Sequence, residues 1–189
     1  MIKNTDEELL ALIKKKNSNA FKVLFERYES GIYNYILRYS GDRGLAQELL
    51  QETFTRVWFS AHLYAPDRGK VKNWLFTIAL NITRNEMVKK RYIYRYEDIT
   101  MLNDSKNEPD SSKSERPDLL LEHQDLKTTI AKALGNLKPE LREVILLKHF
   151  QQLKFREIAE ITKIAEGTIK ARFRKAISEL KKHLKPIDQ

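Results

Sequence analysis

The sequence predicts an all-α protein of two small helical domains joined by a flexible acidic linker, the second domain being a helix-turn-helix unit. Three observations support this prediction. Apolar residues recur at helical spacing on both sides of a polar stretch. Glycine and proline, which punctuate β-rich and loop-rich chains, number only six and five among 189 residues. The polar stretch itself, residues 97–118, holds seven acidic and three basic residues.

The first block, residues 1–96, begins with a helix signal. Thr5 and Glu8 have the spacing of a capping box, in which each side chain covers a free backbone amide at the helix start. A second helix can begin at Ser18. A glycine-containing break at residues 40–44 precedes a third helix, and a second break at residues 65–70 separates that helix from a long fourth one.

The linker, residues 97–118, carries a net charge of −4 and is rich in Ser, Asn, Asp and Pro. Such a stretch cannot bury enough apolar surface to offset its conformational entropy. It is therefore predicted to be flexible. A folded acidic loop is the alternative.

The second block, residues 119–189, is helical again. Pro139 suits a first helical turn, where the missing amide would have no partner. The short helix "FREIAEIT" is followed by a turn and then by a longer helix from Glu166. A support helix, a short helix, a turn and a further helix give the order of a helix-turn-helix domain.

The overall charge points toward a polyanionic partner. With 35 Lys and Arg against 26 Asp and Glu, the formal net charge is +9, which suggests nucleic acid, RNA-rich machinery or an acidic membrane surface. A basic protein without such a partner is the alternative. The N-terminus has no apolar signal core and no stretch is long enough to span a bilayer, so a cytoplasmic protein is expected.

Recognisable catalytic chemistry is missing from the sequence. The chain has no cysteine, which excludes disulfides and thiolate metal sites. It contains no Gly-rich phosphate loop, no Gly-x-Ser-x-Gly elbow and no His-Glu-x-x-His pattern, and its four histidines are scattered. We therefore expect no metal, no cofactor and no enzymatic activity.

The last helix has an apolar side and a basic side. Its apolar stripe recurs at steps of four, four, three and four, through Ile169, Phe173, Ile177, Leu180 and Leu184. Ala171 lies opposite, flanked by Lys170, Arg174, Thr168 and Lys175. A small residue at the centre of a basic face lets a helix approach the major groove. The alternative is a solvated basic face.

The long helix of the first block also has a polar side, formed by Trp74, Thr77, Asn81, Arg84 and Asn85. It continues into a run of cations at residues 89–91. Aromatic side chains interleaved with cations suit single-stranded nucleic acid, because bases stack on rings while phosphates meet charges. The alternatives are a core tryptophan and a solvated helix end.

The stretch "QELLQETFTRVW" is of another kind, since it leaves Glu48, Gln51, Glu52 and Arg56 on its outer side. An acidic and amide patch on a basic protein suits a protein partner better than DNA.

Three elements together resemble bacterial sigma factors of the sigma-70 family, and most of all the extracytoplasmic function (ECF) group. They are "GDRGLAQELLQETFTRVW", "WLFTIALNITRNEMVKKR" and "LKPELREVILLKHFQQLKFREIAEITKIAEGTIKARFRKAISEL", in this order. The resemblance covers nearly the whole chain except the linker. It implies a promoter-specificity subunit that binds core RNA polymerase and lacks catalytic activity of its own. The alternative is a stand-alone helix-turn-helix regulator with an N-terminal sensing or dimerisation domain.

The resemblance also implies site residues. The first block would grip the clamp helices of the polymerase β′ subunit through Glu48, Leu49, Gln51, Glu52 and Phe54. It would hold the minus-ten strand through Lys72, Asn73, Trp74, Asn81, Arg84 and Asn85, with Lys89, Lys90 and Arg91 on the backbone. The second block would bind the minus-thirty-five duplex through Glu166, Thr168, Lys170, Ala171, Arg172, Arg174 and Lys175. Partners would be core RNA polymerase, including its β subunit, promoter DNA and an anti-sigma factor.

Four positions depart from the family's usual pattern. Lys163 stands where the turn usually has glycine, and Ala165 and Lys154 stand where a capping hydroxyl is usual. Leu80 replaces a common arginine beside Asn81. A left-handed Lys163 would cost about 1 kcal/mol, and a lost capping hydroxyl costs about 1 kcal/mol more.

Overall fold

The computed structural model describes residues 4–100 and 129–184, with the side chains of 68, 91–100 and 183 excepted. These residues form helices and turns and contain no strand, which confirms the all-α fold class for the described part of the chain. The helices are α1 (Asp6–Lys14), α2 (Ser18–Ser40), α3 (Arg43–Ser60), α4 (Val71–Thr100), α5 (residues 129–136), α6 (Pro139–Ile145), α7 (Phe155–Thr162) and α8 (Glu166–Leu184).

Helices α1 to α4 start where the sequence places polar caps and breaks. The capping box at α1 is confirmed: the Glu8 amide donates to the Thr5 hydroxyl, and the Thr5 amide donates to the Glu8 carboxylate. Asn17 caps α2 and Asp42 caps α3 through the side chain alone, which accepts from the amides of Ala20 and Leu45 respectively. Gly41 ends α2 with a φ of 77°, a left-handed conformation that glycine adopts without a steric cost.

Helices α2 and α3 form an antiparallel hairpin. Phe21, near the start of α2, packs edge-on against Trp58, near the end of α3, with ring centroids 5.2 Å apart. Phe25 meets Phe54 at 4.7 Å. Helix α4 closes this bundle with the fully buried side chains of Leu75, Phe76 and Leu80.

Helix α4 runs four residues further than the boundary expected from the sequence, because no glycine or proline interrupts it before Thr100. Residues 97–100 of the predicted linker are therefore helical. The rest of that linker, residues 101–118, lies outside the described residues.

In the second block, Pro139 occupies the first turn of α6, as expected. The helix continues as a π-helical turn, Leu146–Phe150. Helix α7 packs against this turn, and α8 packs against α6 and α7. Phe155 of α7 meets Phe173 of α8 at 5.4 Å. This block also packs on the first one, mainly through α7 against α4, so the buried apolar residues of both form one continuous cluster.

Across the described ranges, no helix combines the length and apolar character needed to cross a membrane.

Candidate nucleic-acid and protein interfaces

The predicted polymerase-binding residues of α3 divide between two faces. Glu48, Gln51 and Glu52 are exposed, whereas Leu49 and Phe54 are only 3% and 2% exposed. The two apolar side chains lie in the bundle core because they share the inner face of α3. They anchor α3 to the bundle and are not accessible to a partner. The acidic and amide side chains are therefore the accessible part of the predicted patch.

The outer side of α4 carries exposed amides and cations. Asn81, Asn85 and Lys89 are exposed. Lys90 lies 3.3 Å from the Asp42 carboxylate. The side chain of Arg91 falls outside the described part.

Trp74 is half-buried and packs against Tyr64, with ring centroids 5.7 Å apart. It lines a pocket of about 210 Å³ whose wall also includes Glu160 and Lys163 from the second block. The tryptophan is thus neither a fully buried core residue nor a free aromatic surface. Leu80 is fully buried, so this family position serves the core of the bundle here.

The other predicted minus-ten residues of α4 are bonded to the second block. The Arg84 guanidinium donates to the Glu143 carboxylate from Nε at 2.8 Å and from Nη2 at 2.7 Å. The Asn73 amide nitrogen donates to Glu160 at 3.0 Å. Lys72 Nζ donates to the backbone carbonyl of Gln151, the residue after the π-helical turn, at 3.0 Å. Sequence periodicity did not predict these contacts.

Glu143 is a buried carboxylate, with 2% of its side chain exposed. Burial raises its pKa, and the Arg84 guanidinium opposes that rise by stabilising the ionised form. Burial and then the Glu143 charge raise the pKa of Tyr39 to about 12. The ion pair therefore lies in a site of low polarity, where it is strongly favoured over either charge alone.

A further contact joins the N-terminal end of α4 to α7. Lys70 Nζ lies 2.9 Å from the Glu157 carboxylate. Burial alone would raise the pKa of Glu157, but hydrogen bonds from the Lys154 amide and from Lys70 hold it below its usual range. Neither Lys70 nor Glu157 was a predicted site residue. Their opposite charges, 87 residues apart in sequence, gave no local signal of pairing.

The turn before the last helix has the strained geometry expected from its sequence. Lys163 adopts a left-handed conformation, with φ 59° and ψ 32°. Ala165 precedes α8 and offers only its carbonyl, which accepts from the Ile169 amide at 3.1 Å. At α7 the Lys154 side chain has no acceptor atom, so only the Glu157 half of a capping box forms, at 2.8 Å.

The predicted minus-thirty-five residues lie on α8, mostly facing solvent. Thr168, Lys170, Ala171, Arg174 and Lys175 are exposed. Two others, Glu166 and Arg172, are only half-exposed. Glu166 pairs with Lys170 at 2.7 Å.

Comparison with known families gives two matches in the order of the two blocks. The model described as Sigma-70 region 2 matches residues 24–92. The model described as Sigma-70, region 4 matches residues 127–180.

Similar proteins cover nearly the whole chain. The ECF RNA polymerase sigma factor RpoE of Cereibacter sphaeroides is 30% identical over 174 residues, which are 92% of this chain and 91% of that protein. The ECF RNA polymerase sigma factor SigW of Bacillus subtilis is 30% identical over 182 residues, covering 93% and 94%.

Two solved structures share the fold. CnrH in complex with the cytosolic domain of CnrY aligns over 98% of this chain and all of that one, with a TM-score of 0.71 and 20% identity. RpoE in complex with the anti-sigma factor NepR, from Bartonella quintana, aligns over 89% and 98%, with a TM-score of 0.67 and 24% identity.

Proposed function

The chain belongs to the ECF RNA polymerase sigma factors, which bind core RNA polymerase and direct promoter recognition, DNA melting and transcription initiation, and we propose how its residues divide that work. Residues 1–96 and 119–189 act as two promoter-binding units, and residues 97–118 connect them. The observation that carries this proposal is the match of two sigma-70 regions in order along one chain.

The polymerase contact is assigned to the outer face of α3. Glu48, Gln51 and Glu52 are its accessible side chains, and Leu49 and Phe54 hold the helix in place beneath them. An acidic patch on a chain of net charge +9 is poorly suited to DNA and well suited to the β′ clamp helices.

The melted minus-ten strand is assigned to α4. Trp74 offers a ring on which a base can stack, and the donors beside it suit bases and phosphates. These donors are Lys72, Asn73, Asn81, Arg84, Asn85, Lys89, Lys90 and Arg91.

The minus-thirty-five duplex is assigned to α8. The exposed cations Lys170, Arg174 and Lys175 surround Ala171, whose small side chain allows close approach to base edges. Thr168, Glu166 and Arg172 complete the face.

We further propose that the chain is cytoplasmic, has no catalytic activity of its own and is held by an anti-sigma factor. The nucleotidyl transfer belongs to core polymerase. A cleft of about 1040 Å³ lies at the junction of the two blocks, lined by Leu45, Val88, Arg84 and Arg142 among others. Its mixed apolar and charged walls could accommodate an amphipathic segment of an inhibitor.

One experiment tests the function. Purified chain is mixed with core polymerase and fragments of its own genome, and the 5′ ends of the transcripts are sequenced. Transcripts that start downstream of a shared two-part motif, and co-elution with core polymerase, are expected. Symmetric operator binding without core polymerase, with no transcripts, would instead support a stand-alone regulator.

A further inference from the structure

Two large apolar side chains are exposed where α3 ends. Phe59 and Leu63 are each 65% exposed, more than any other large apolar side chain among the described residues. They are four residues apart on the helical run that leads from α3 into a short 3-10 turn, Ala61–Leu63, so they lie on the same side of that run. Exposed apolar side chains that lie together, unlike single ones, are a feature of binding surfaces.

Three lysines at the turn between α1 and α2 lie beside this apolar pair. Lys14, Lys15 and Lys16 are exposed, and none of them pairs with a carboxylate in the part of the chain that the structure describes. The Lys16 ammonium lies 5.4 Å from the ring centroid of Phe59 and 5.1 Å from that of Trp58. Its backbone has a φ of 62°, a conformation that is strained for lysine. Strained residues of this kind occur often where a ligand is held.

The apolar pair is continuous with the α4 face assigned to the minus-ten strand. Leu63 lines the same pocket as Trp74. Tyr64, the next residue, packs its ring against Trp74 at 5.7 Å and donates its hydroxyl to the Gly69 carbonyl at 3.0 Å. The backbone carbonyl of Tyr64 accepts from Lys14 Nζ at 2.9 Å. Helix α1 therefore holds the segment that carries Leu63 beside Trp74.

We propose that Phe59, Leu63, Lys15 and Lys16 form a second single-strand site, which binds nucleotides of the melted strand beyond those held by α4. We call these four residues the α3-end site. The inference rests on the proposed function, since it takes α4 as the minus-ten face. A base stacks on the exposed Phe59 ring and packs against Leu63, while neighbouring phosphates meet the two ammonium groups. Because every base has a face that stacks, the α3-end site adds affinity for melted DNA with little preference for sequence.

The position and size of the α3-end site favour a nucleic-acid strand over a membrane or a second copy of the chain. A strand that leaves the Trp74 pocket passes Leu63 next, because Leu63 belongs to both. A stable dimer buries about 800 Å² on each partner, which two apolar side chains do not supply. Membrane-surface binding uses a long apolar helix face, and this surface is narrow by comparison.

The first test isolates the stacking ring. Holoenzyme is assembled from core polymerase and the chain, and its affinity is measured for a promoter fragment found by transcript sequencing. The strands of the fragment are mismatched across the melted segment, and it ends before the minus-thirty-five element. Phe59→Leu keeps an apolar side chain without a ring and is expected to bind about tenfold more weakly than wild type. Phe59→Tyr keeps the ring and should recover most of that loss.

The control is Val23→Ala, which shortens an exposed apolar side chain of α2 that has no assigned role. It is expected to bind as wild type does. Wild-type affinity in Phe59→Leu would overturn the inference and leave the proposed function standing. If wild-type holoenzyme neither bound the mismatched fragment nor gave transcripts, the proposed function would be overturned and the inference with it.

Two further measurements test the other occupants. Sedimentation with phosphatidylserine vesicles and self-association of the chain are compared between wild type and Phe59→Leu. A defect of the variant in either measurement, with normal binding to the mismatched fragment, would overturn the inference. The surface would then belong to a membrane contact or to a dimer.

The second test concerns the cations. Lys15→Gln/Lys16→Gln is compared with Lys132→Gln/Lys138→Gln, which removes two exposed lysines of the second block and the same net charge. The slope of the logarithm of affinity against the logarithm of salt concentration should fall by about 1.4 in the first variant, because two phosphate contacts are lost. The control should keep the wild-type slope. An equal change in both variants would show that only net charge acts and would overturn the inference.

The third test locates the bound nucleotides. Photoreactive benzoylphenylalanine replaces Phe59 in one holoenzyme and Trp74 in another, and both are irradiated on the mismatched fragment. Cross-links from Phe59 are expected at unpaired nucleotides next to those reached from Trp74. Cross-links from Phe59 to polymerase alone, or to the duplex alone, would overturn the inference.

Discussion

The guanidinium of Arg84 and the carboxylate of Glu143 form a two-point ion pair between helices 59 residues apart in sequence. The carboxylate is almost completely buried, and the guanidinium is about one-third exposed. The stability of the buried charge therefore depends on one partner.

Replacing Arg84 by methionine is expected to destabilise the chain by about 3 kcal/mol, because it leaves a buried carboxylate without its counter-charge. The double variant Arg84→Met/Glu143→Leu should recover most of that loss, since neither charge is then buried. Urea unfolding followed by circular dichroism measures both. A double variant as unstable as the single one would contradict this account.

The free energy of unfolding of Arg84→Met should depend on pH in a direction that the pKa of Glu143 determines. Without Arg84, burial remains the largest influence on Glu143 and raises its folded-state pKa above the unfolded value. The folded state then binds the proton more tightly, so its stability falls as pH rises between those two pKa values. The stability difference between wild type and Arg84→Met should therefore shrink on going from about pH 8 to about pH 5. A constant difference would mean that Glu143 does not carry the effect.

Lys163→Gly is expected to stabilise the second domain by about 0.5–1 kcal/mol, because glycine adopts the left-handed conformation without strain. Lys16, with φ 62°, provides a matched comparison. Its ammonium lies over the rings of Trp58 and Phe59, at 5.1 and 5.4 Å. Lys16→Gly should therefore gain less, because it also loses these contacts. Thermal unfolding of both variants gives the comparison, and a larger gain at Lys16 would refute it.

Ala165→Ser is expected to add about 1 kcal/mol of stability, because a hydroxyl before α8 can accept a free amide of its first turn. Ala165→Val changes the same side chain without supplying an acceptor and serves as the control. The two variants are compared by thermal unfolding. A gain from valine as large as that from serine would exclude capping as the cause.

Asp42 caps α3 through the Leu45 amide, at 3.0 Å, and this hydrogen bond, with Lys90, lowers the pKa of the carboxyl. Asp42→Ala is expected to cost about 1 kcal/mol, and Asp42→Asn much less because the amide oxygen still caps the helix. A depressed pKa stabilises the fold above the unfolded pKa of about 3.9, and that contribution disappears as pH falls through the lower folded value. Unfolding measured from about pH 6 down to about pH 3 should show the alanine variant losing its disadvantage.

The polymerase patch gives a further prediction. Glu52→Lys with Gln51→Ala should weaken binding to core polymerase by at least about tenfold, because the reversed charge opposes its partner surface. Glu26→Lys, on the exposed side of α2, reverses a carboxylate elsewhere and should leave binding unchanged. Co-elution and a titration with labelled chain measure the effect. Equal weakening by both variants would show that only net charge matters.

Local structure could be predicted well from the sequence, because its causes are local. The Thr5 capping box, the Pro139 helix start and the left-handed Lys163 each depend on a few neighbouring residues, and the structure has all three. The basic outer face of α8 followed from apolar spacing in the same manner.

The contacts between the two blocks could not be predicted, because they join residues far apart in sequence. Glu143 lies beside buried Val144 in a charged stretch of sequence. Its carboxylate can be buried because the Arg84 guanidinium, from a distant helix, pairs with it. Leu49 and Phe54 were expected at the polymerase surface, and their burial depends on how α3 packs against α2, which spacing alone leaves open.

The side chain of Asn73 shows that the contact between the two blocks is incompletely hydrogen-bonded. Its amide nitrogen bonds to Glu160, but its amide oxygen is buried and has no hydrogen-bond partner among the described residues. A buried acceptor left unpaired costs about 1–3 kcal/mol. Any incoming group that donates a hydrogen bond to this oxygen would recover that cost. A ligand with such a donor is therefore favoured over the present contact of Asn73 with the second block.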